Sequence, residues 1–454
     1  MEKQDHNNLT TGSLWANIWH MSWPMLGIMV FNFFVGLADV YVAGLISPEV
    51  QAAVGFVSQI YFFSIIVANA LSIGTLAIVS RAMGAGDPRK AIETAKQSML
   101  FSVIVAAGLT AFTFLLNREI IAAAGFPPVI RETAEKFLKI FALSLGPNYI
   151  LIISNAVFRS SGEVKLPLLT MFVVSVINII GDFVLVLGIG PFPELGYQGI
   201  AVSTTLSVTI GMFMNLLFFS RGRWRPIYSG SWAVSLAEIS RIVVIAWPAA
   251  ILQVAWGAGT IALYNILGRL GSESITAMAS LTNGLRIEAV IYLPAFALNM
   301  AASVLVGQNL GAGKAERAAS AGWKIARAGG FVISLMSVAV FVLAGHFASM
   351  FTNSGDVLNE TARYLRFNML SEPFMAMSAI LGGGLQGAGD TKGTMWIIIA
   401  AMWIVRLPLA YFLAIILGYG AVGVWTAMIT SMALQGILMS LRFYRGHWKI
   451  IKVG

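Results

Sequence analysis

Four acidic residues stand deep in otherwise apolar stretches: Asp39, Asp182, Glu288 and Glu372. If those stretches cross a membrane, a charged group near the middle costs at least about 2.5–3.5 kcal/mol, so each acid must face a cavity, find a partner or take up a proton. Asn178 and Asp182 are four residues apart and therefore share one face of a helix. An amide oxygen beside a carboxylate suits Na+, a hard ion that favours oxygen. The same pair suits a carboxylate that loads and unloads a proton. Asp39 lies late in its apolar run, at a depth similar to that expected for Asp182. The plainer alternatives are a solvated end residue for Asp39 and a hydrogen bond tying helices together for Asp182.

The second half of the chain carries different groups. Glu288 has Arg286 two residues away, a spacing that does not bring two side chains together on a helix. It reads either as a buried site or as a solvated charge at an outer mouth. Glu372 precedes Pro373, at a possible break in its helix, and Arg366 is a candidate structural partner. Arg406 could pair with an acid across the bundle, snorkel to water or meet a transported anion. Asn155 is a polar side chain inside a span, either glue between helices or a contact for substrate. The four histidines are scattered without metal-ligand spacing, and the chain has no cysteine. Gly84-Ala85-Gly86 and Gly311-Ala312-Gly313 lack the lysine and serine of a nucleotide loop, so no ATP chemistry and no organic cofactor are expected.

These residues sit in a chain of 454 residues that is 58% hydrophobic and 11% charged, with a mean hydropathy of +0.81. Soluble domains carry about 25% charged residues, so an all-α polytopic membrane protein is expected. Runs of about 20 apolar residues cross a bilayer once. Twelve are read: 17–43, 54–80, 96–116, 135–158, 166–188, 198–219, 240–264, 280–306, 326–345, 362–385, 394–416 and 421–442. A net charge of +9 could suggest nucleic acid. The basic residues instead cluster in alternate links between spans, which places both termini in the cytoplasm. The polar start lacks the pattern of a signal peptide, so the first span is expected to remain in the mature protein.

The chain is also written twice. Gly162 and Gly389 are 227 residues apart, as are Gly84 and Gly311, in matching contexts. Trp23 and Pro24 return as Trp247 and Pro248 at an offset of 224. Six spans per copy bring each copy in from the same side, giving parallel repeats. The expected division is an N-terminal lobe at 1–219, a cytoplasmic linker at 220–236 and a C-terminal lobe at 237–454. Prolines inside spans remove an amide donor and can bend a helix. Pro24 is the candidate hinge, because Pro248 occupies the equivalent place. The acids have no such twins: the counterparts of Asp39 and Asp182 are Leu263 and Leu409.

Pro24, Asp39, the Gly84-Ala85-Gly86 link, Asn155, the Asn178/Asp182 pair, and Gly162-Glu163-Val164-Lys165 with its twin Gly389-Asp390-Thr391-Lys392 resemble the multidrug and toxic compound extrusion (MATE) family over nearly the whole chain. The acid in span one with Asn178 and Asp182 is similar to the prokaryotic DinF-like branch. The resemblance implies two pseudo-symmetric six-helix bundles forming a V with a central cleft. It implies a cation site at Asp39, Asn178, Asp182 and Thr204, with Thr205 adjacent to the last. It implies a monomeric antiporter of the prokaryotic cytoplasmic membrane, no enzyme, that exports organic cations or amphipathic drugs in exchange for H+ or Na+. The rival readings are a flippase for lipid-linked precursors, which would want a strongly basic cavity, and a receptor or scaffold that transports nothing.

Overall fold

With no water inside a bilayer, every backbone N–H and C=O must be satisfied within its own segment, and long helices dominate as a result. The computed structural model describes residues 9–123, 128–451 and 453. Among them, eleven helices are long and apolar enough to cross a membrane. In the first half these are α1 (Leu14–Ile46), α2 (Pro48–Gly84), α3 (Pro88–Leu115), α4 (Pro128–Ser160), α5 (Lys165–Leu187) and α6 (Gln198–Arg221). In the second they are α7 (Leu236–Gly268), α8 (Ser274–Gly311), α9 (Ala315–Val342), α11 (Thr391–Ile416) and α12 (Gly420–Arg445).

The span expected at 362–385 is not one continuous helix. α10 consists of two pieces, Gly355–Met369 and Glu372–Gly387. Pro373 has no N–H to give back to the preceding turn. The chain tightens there, with the amides of Leu370 and Ser371 donating to the carbonyls of Phe367 and Asn368. α11 is also irregular, with π-helical turns at Ala400–Arg406 and Phe412–Ile416 on either side of Pro408.

The sequence repeat is a repeat of packing. α2 packs on α4 as α8 packs on α10, α4 on α6 as α10 on α12, and α5 on α6 as α11 on α12. The matching glycines sit where the chain turns. Gly86 and Gly313 have φ of 71° and 72°, and Gly162 and Gly389 have 83° and 88°, a region that L side chains avoid. The acid after each of the latter pair fixes a link. Asp390 caps α11 by accepting from the amide of Gly393 and takes two bonds from Arg442, at 2.6 and 2.8 Å. Glu163 accepts from Trp224 Nε1 at 2.9 Å and lies 3.7 Å from Arg223.

The chain divides into two compact units, and the division does not fall between α6 and α7. One unit holds Gly27–Trp247 and the other holds Leu9–Leu26 with Pro248–Val453. Each boundary lies within a helix, at or just after the repeated Trp and Pro. The stretch expected as a cytoplasmic linker contains a short 3-10 turn, Arg225–Tyr228, and falls within the unit that holds Gly27–Trp247.

Candidate functional site

In the unit containing Gly27–Trp247, α5 and α6 approach closely because Gly181 has no side chain. A Cβ there would lie 2.5 Å from Ser203 Oγ. That approach lets Ser203 donate to the backbone carbonyl of Asn178 at 2.7 Å, and Asn178 Nδ2 donate to Thr204 Oγ1 at 3.2 Å. Thr204, not Thr205, therefore faces Asn178. Thr205 faces α4 instead, donating to Ala201 O at 2.8 Å and to Ile140 O at 3.4 Å. Asp182, one turn beyond Asn178, is fully buried, and it meets the half-buried Asp39 of α1 at close range.

The oxygens of this cluster lack donors. Asp39 Oδ1, Asn178 Oδ1 and both carboxylate oxygens of Asp182 are shielded from solvent with no hydrogen-bond partner. Buried polar groups without partners are costly. A set of acceptors from two carboxyl groups, an amide and a hydroxyl is the chemistry that receives a hard cation or a proton. No group of three or more acidic, histidine or cysteine side chains with metal-ligand geometry occurs among the described residues.

Tyr61 of α2 belongs to the same neighbourhood and was not anticipated. Its hydroxyl accepts from Asn148 Nδ2, lies 3.1 Å from Ser144 Oγ and feels the charge of Asp39. Nothing in the local sequence of Tyr61 marks it, since it comes from a different helix. Asn155 lies elsewhere. Its Oδ1 accepts from Asn215 Nδ2 at 2.8 Å, and Asn215 also bonds Ser154 and Thr170. That closed network ties α4, α5 and α6 together. Pro24 lies inside α1, in the portion that belongs to the other unit.

The other unit gathers Glu288, Glu372 and Arg406, all 2–3% exposed. Glu288 is therefore not a solvated charge at a helix end. Tyr292 donates to its Oε2 at 3.1 Å, and it feels Glu372 and Arg406. Arg366 is exposed and forms no ion pair with Glu372, so that pairing does not exist. Arg406 does not snorkel. The π-helical turn of α11 delivers it inward, where Nε donates to Ser431 Oγ at 2.7 Å and the guanidinium stands 5.4 Å from the centre of the Trp256 ring.

Two stretches of the chain, 24–184 and 248–412, match the model of the MatE family, and each begins at one of the repeated prolines. The chain belongs to the MatE family. As a MatE protein it is a multi-pass membrane secondary transporter and not an enzyme. A probable multidrug resistance protein NorM of Thermotoga maritima is 26% identical over 432 residues, covering 94% of this chain and 91% of the relative. An uncharacterised transporter YisQ of Bacillus subtilis is 23% identical, covering 95% and 94%. Among solved structures, a MOP superfamily transporter from Pyrococcus furiosus matches with a TM-score of 0.88 at 20% identity, covering 98% of both chains. An outward-facing MATE family multidrug resistance transporter matches with a TM-score of 0.89 at 20% identity, covering 98% of this chain and 100% of that one. These two likenesses concern the fold.

Proposed function

We propose that this MatE protein is a cation-coupled antiporter of the prokaryotic cytoplasmic membrane that exports organic cations or amphipathic drugs. H+ or Na+ exchanges at Asp39, Asn178, Asp182 and Thr204. The observation that carries this reading is the set of buried acceptor oxygens without donors in the unit holding Asp39 and Asp182. Two carboxyl groups at close range in a low-dielectric site repel when both are ionised, and a cation or proton relieves that repulsion. Uptake of the cation then favours one conformation and substrate the other, as coupling requires. Bending of α1 at Pro24 carries the change.

The second unit has its own acids but also has Arg406 among them. A fixed guanidinium supplies internally the positive charge that an exchangeable cation supplies to Asp39 and Asp182. This asymmetry supports placing exchange in the first unit, and an acid in α1 with Leu263 in α7 supports the DinF-like branch. Glu288, Glu372 and Arg406 are then residues that shape the second unit or contact substrate. The names of relatives such as NorM support the drug-like substrate class. The clustering of basic residues in alternate links supports cytoplasmic termini, and one chain working as a monomer suffices.

The test is efflux of a fluorescent organic cation from proteoliposomes, with pH and Na+ gradients imposed separately. Gradient-driven efflux is expected from the natural chain and is expected to be lost when both Asp39→Asn and Asp182→Asn are introduced. Full coupled export by that double variant would overturn the assignment.

A further inference from the structure

Among the described residues, neither α1 nor α7 shares more than isolated backbone contacts with any one other element. The first halves of the two helices bury matching positions: Ile18, Met21 and Met25 in α1, and Ile242, Ile245 and Ala249 in α7. These two sets stand at the same offset of 224 as the repeated prolines. What holds the beginnings of these helices is the chain immediately before them.

Before α1, four successive backbone carbonyls are held by side chains. Asn309 Nδ2 donates to Leu9 O at 3.4 Å and Lys314 Nζ to Thr10 O at 2.9 Å. Arg317 Nη2 donates to Thr11 O at 2.8 Å and to Gly12 O at 2.9 Å. Asn17 folds back to Leu9 O and Thr11 O at 3.1 and 3.0 Å. Lys324 of α9 sits over the Trp15 ring at 5.9 Å. All of these residues lie in the unit formed by Leu9–Leu26 and Pro248–Val453.

Before α7 the same device recurs with different residues. Lys96 of α3 donates to Ser229 O and stands 5.8 Å from the centre of the Trp232 ring. Gln97 donates to Ala233 O at 2.8 Å and accepts from the amide of Ser235 at 3.0 Å. All of these lie in the Gly27–Trp247 unit. Each strap, with the first half of the helix it leads into, therefore belongs to the unit that does not hold the second half of that helix. The chain changes units just after Pro24 in α1 and between Trp247 and Pro248 in α7.

We propose that residues 9–12 and 229–235 are paired anchors that stay closed throughout transport. They immobilise the first halves of α1 and α7, so that these helices bend at their prolines instead of sliding as rods. Lys314, Arg317, Lys96 and Gln97 are positioning residues for the cycle. They never meet the cation; they fix the end of α1 from which Asp39 is moved. The inference rests on the antiport reading above and extends it to the parts that transmit the motion.

The chain has no cysteine, so introduced pairs can be bridged without background. Two arms test the proposal in proteoliposomes, reading the initial rate of efflux of a fluorescent organic cation. In the first, Lys314→Ala with Arg317→Ala, and separately Lys96→Ala with Gln97→Ala, are expected to lower the rate about tenfold, as loss of charge-assisted bonds implies. Proton or Na+ release on substrate binding is expected to stay unchanged, and Arg317→Lys to restore most of the rate. In the second, Thr11→Cys with Arg317→Cys is bridged by a short bismaleimide. Its rate is expected to equal or exceed that of the same protein capped with N-ethylmaleimide, in which the Arg317 bonds are lost and nothing replaces them. A natural rate in the alanine variants overturns the proposal, and so does loss of transport on bridging. If the alanine variants fail to insert, the bridged protein decides alone. Failure of the antiport reading shows separately, as coupled export surviving Asp39→Asn with Asp182→Asn.

Discussion

The hydroxyl of Ser203 donates to the backbone carbonyl of Asn178 at 2.7 Å, locking α6 against α5 beside the buried Asp182. The lock exists because Gly181 leaves room for it. Gly181→Ala sets two effects against each other. Alanine in a helix interior gains about 1 kcal/mol over glycine. Its Cβ, however, would lie 2.5 Å from Ser203 Oγ and 3.2 Å from Ser203 Cβ, and overpacking of this kind costs about 1–3 kcal/mol. The clash is expected to win, lowering the melting temperature and the rate of cation-driven efflux together. Gly108→Ala in α3, where nothing lies within 4 Å of the new Cβ, is expected to hold or raise the melting temperature. A destabilised Gly108→Ala protein would show that helix propensity does not govern here.

Asp182→Asn separates a functional acid from a structural one. If Asp182 served only to tie helices, its replacement would destabilise the protein. Both of its carboxylate oxygens are without donors, so asparagine removes the repulsion between two neighbouring carboxyl groups and can donate to Asp39. Stability is expected to hold or to rise by about 1–3 kcal/mol, while gradient-driven efflux falls at least about tenfold. Thermal unfolding followed by tryptophan fluorescence, read beside the efflux rate, checks both signs. A clear fall in melting temperature would return Asp182 to a purely structural role.

The long helices were legible because apolar runs of membrane length have few other fates, and the duplicated glycines and prolines disclosed the repeat. That Asn178 and Asp182 share one helix face was legible because four residues make about one helical turn. The azimuth of each helix was not legible, since lipid-facing and protein-facing surfaces are equally apolar. Tyr61 was therefore missed beside Asp39, and Tyr292 beside Glu288. The same blindness left Glu288 readable as a solvated charge and Arg366 as a partner for Glu372. The division of α1 and α7 between units was also hidden. Hydropathy reports that a segment is in the membrane and says nothing of which neighbours it keeps, so the proline pair hinted at a bend without disclosing what lay on either side.

Arg406 is held by Ser431 and by the face of Trp256 while it offsets the charge of Glu288. Arg406→Met keeps most of the volume and removes the cation. Leaving buried acids without their counter-charge costs about 3 kcal/mol, so the melting temperature is expected to fall. Adding Glu288→Gln and Glu372→Gln to Arg406→Met is expected to recover most of the loss, because the uncompensated charge disappears with its cause. Arg406→Lys is expected to behave more like Met than like Arg, since an ammonium cannot stack on Trp256 as a planar guanidinium does. Differential scanning fluorimetry on the four proteins checks the order. Equal melting temperatures for Arg406→Met and the triple variant would mean that charge balance is not what Arg406 provides.

Asp390 tests whether the repeated glycine-acid motif belongs to transport chemistry or to architecture. It caps α11 through Gly393 and accepts two bonds from Arg442, whose side chain remains 39% exposed. Solvent discounts the ion pair, so the cap at about 1 kcal/mol and the charged bonds together imply a loss of about 2–3 kcal/mol for Asp390→Ala. Asp390→Asn keeps an acceptor for the Gly393 amide and gives up only the charge, so it is expected to lose about half as much. Glu163 in the first copy binds Trp224 and Ser161 more closely than it binds Arg223. Glu163→Gln, which keeps an acceptor oxygen, is therefore expected to cost less than Asp390→Ala. In all three variants the efflux rate per folded molecule is expected to remain at the natural level, because neither acid is part of the Asp39–Asp182 cluster. A variant that unfolds at the natural temperature yet loses coupling would move the motif from the scaffold into the transport mechanism.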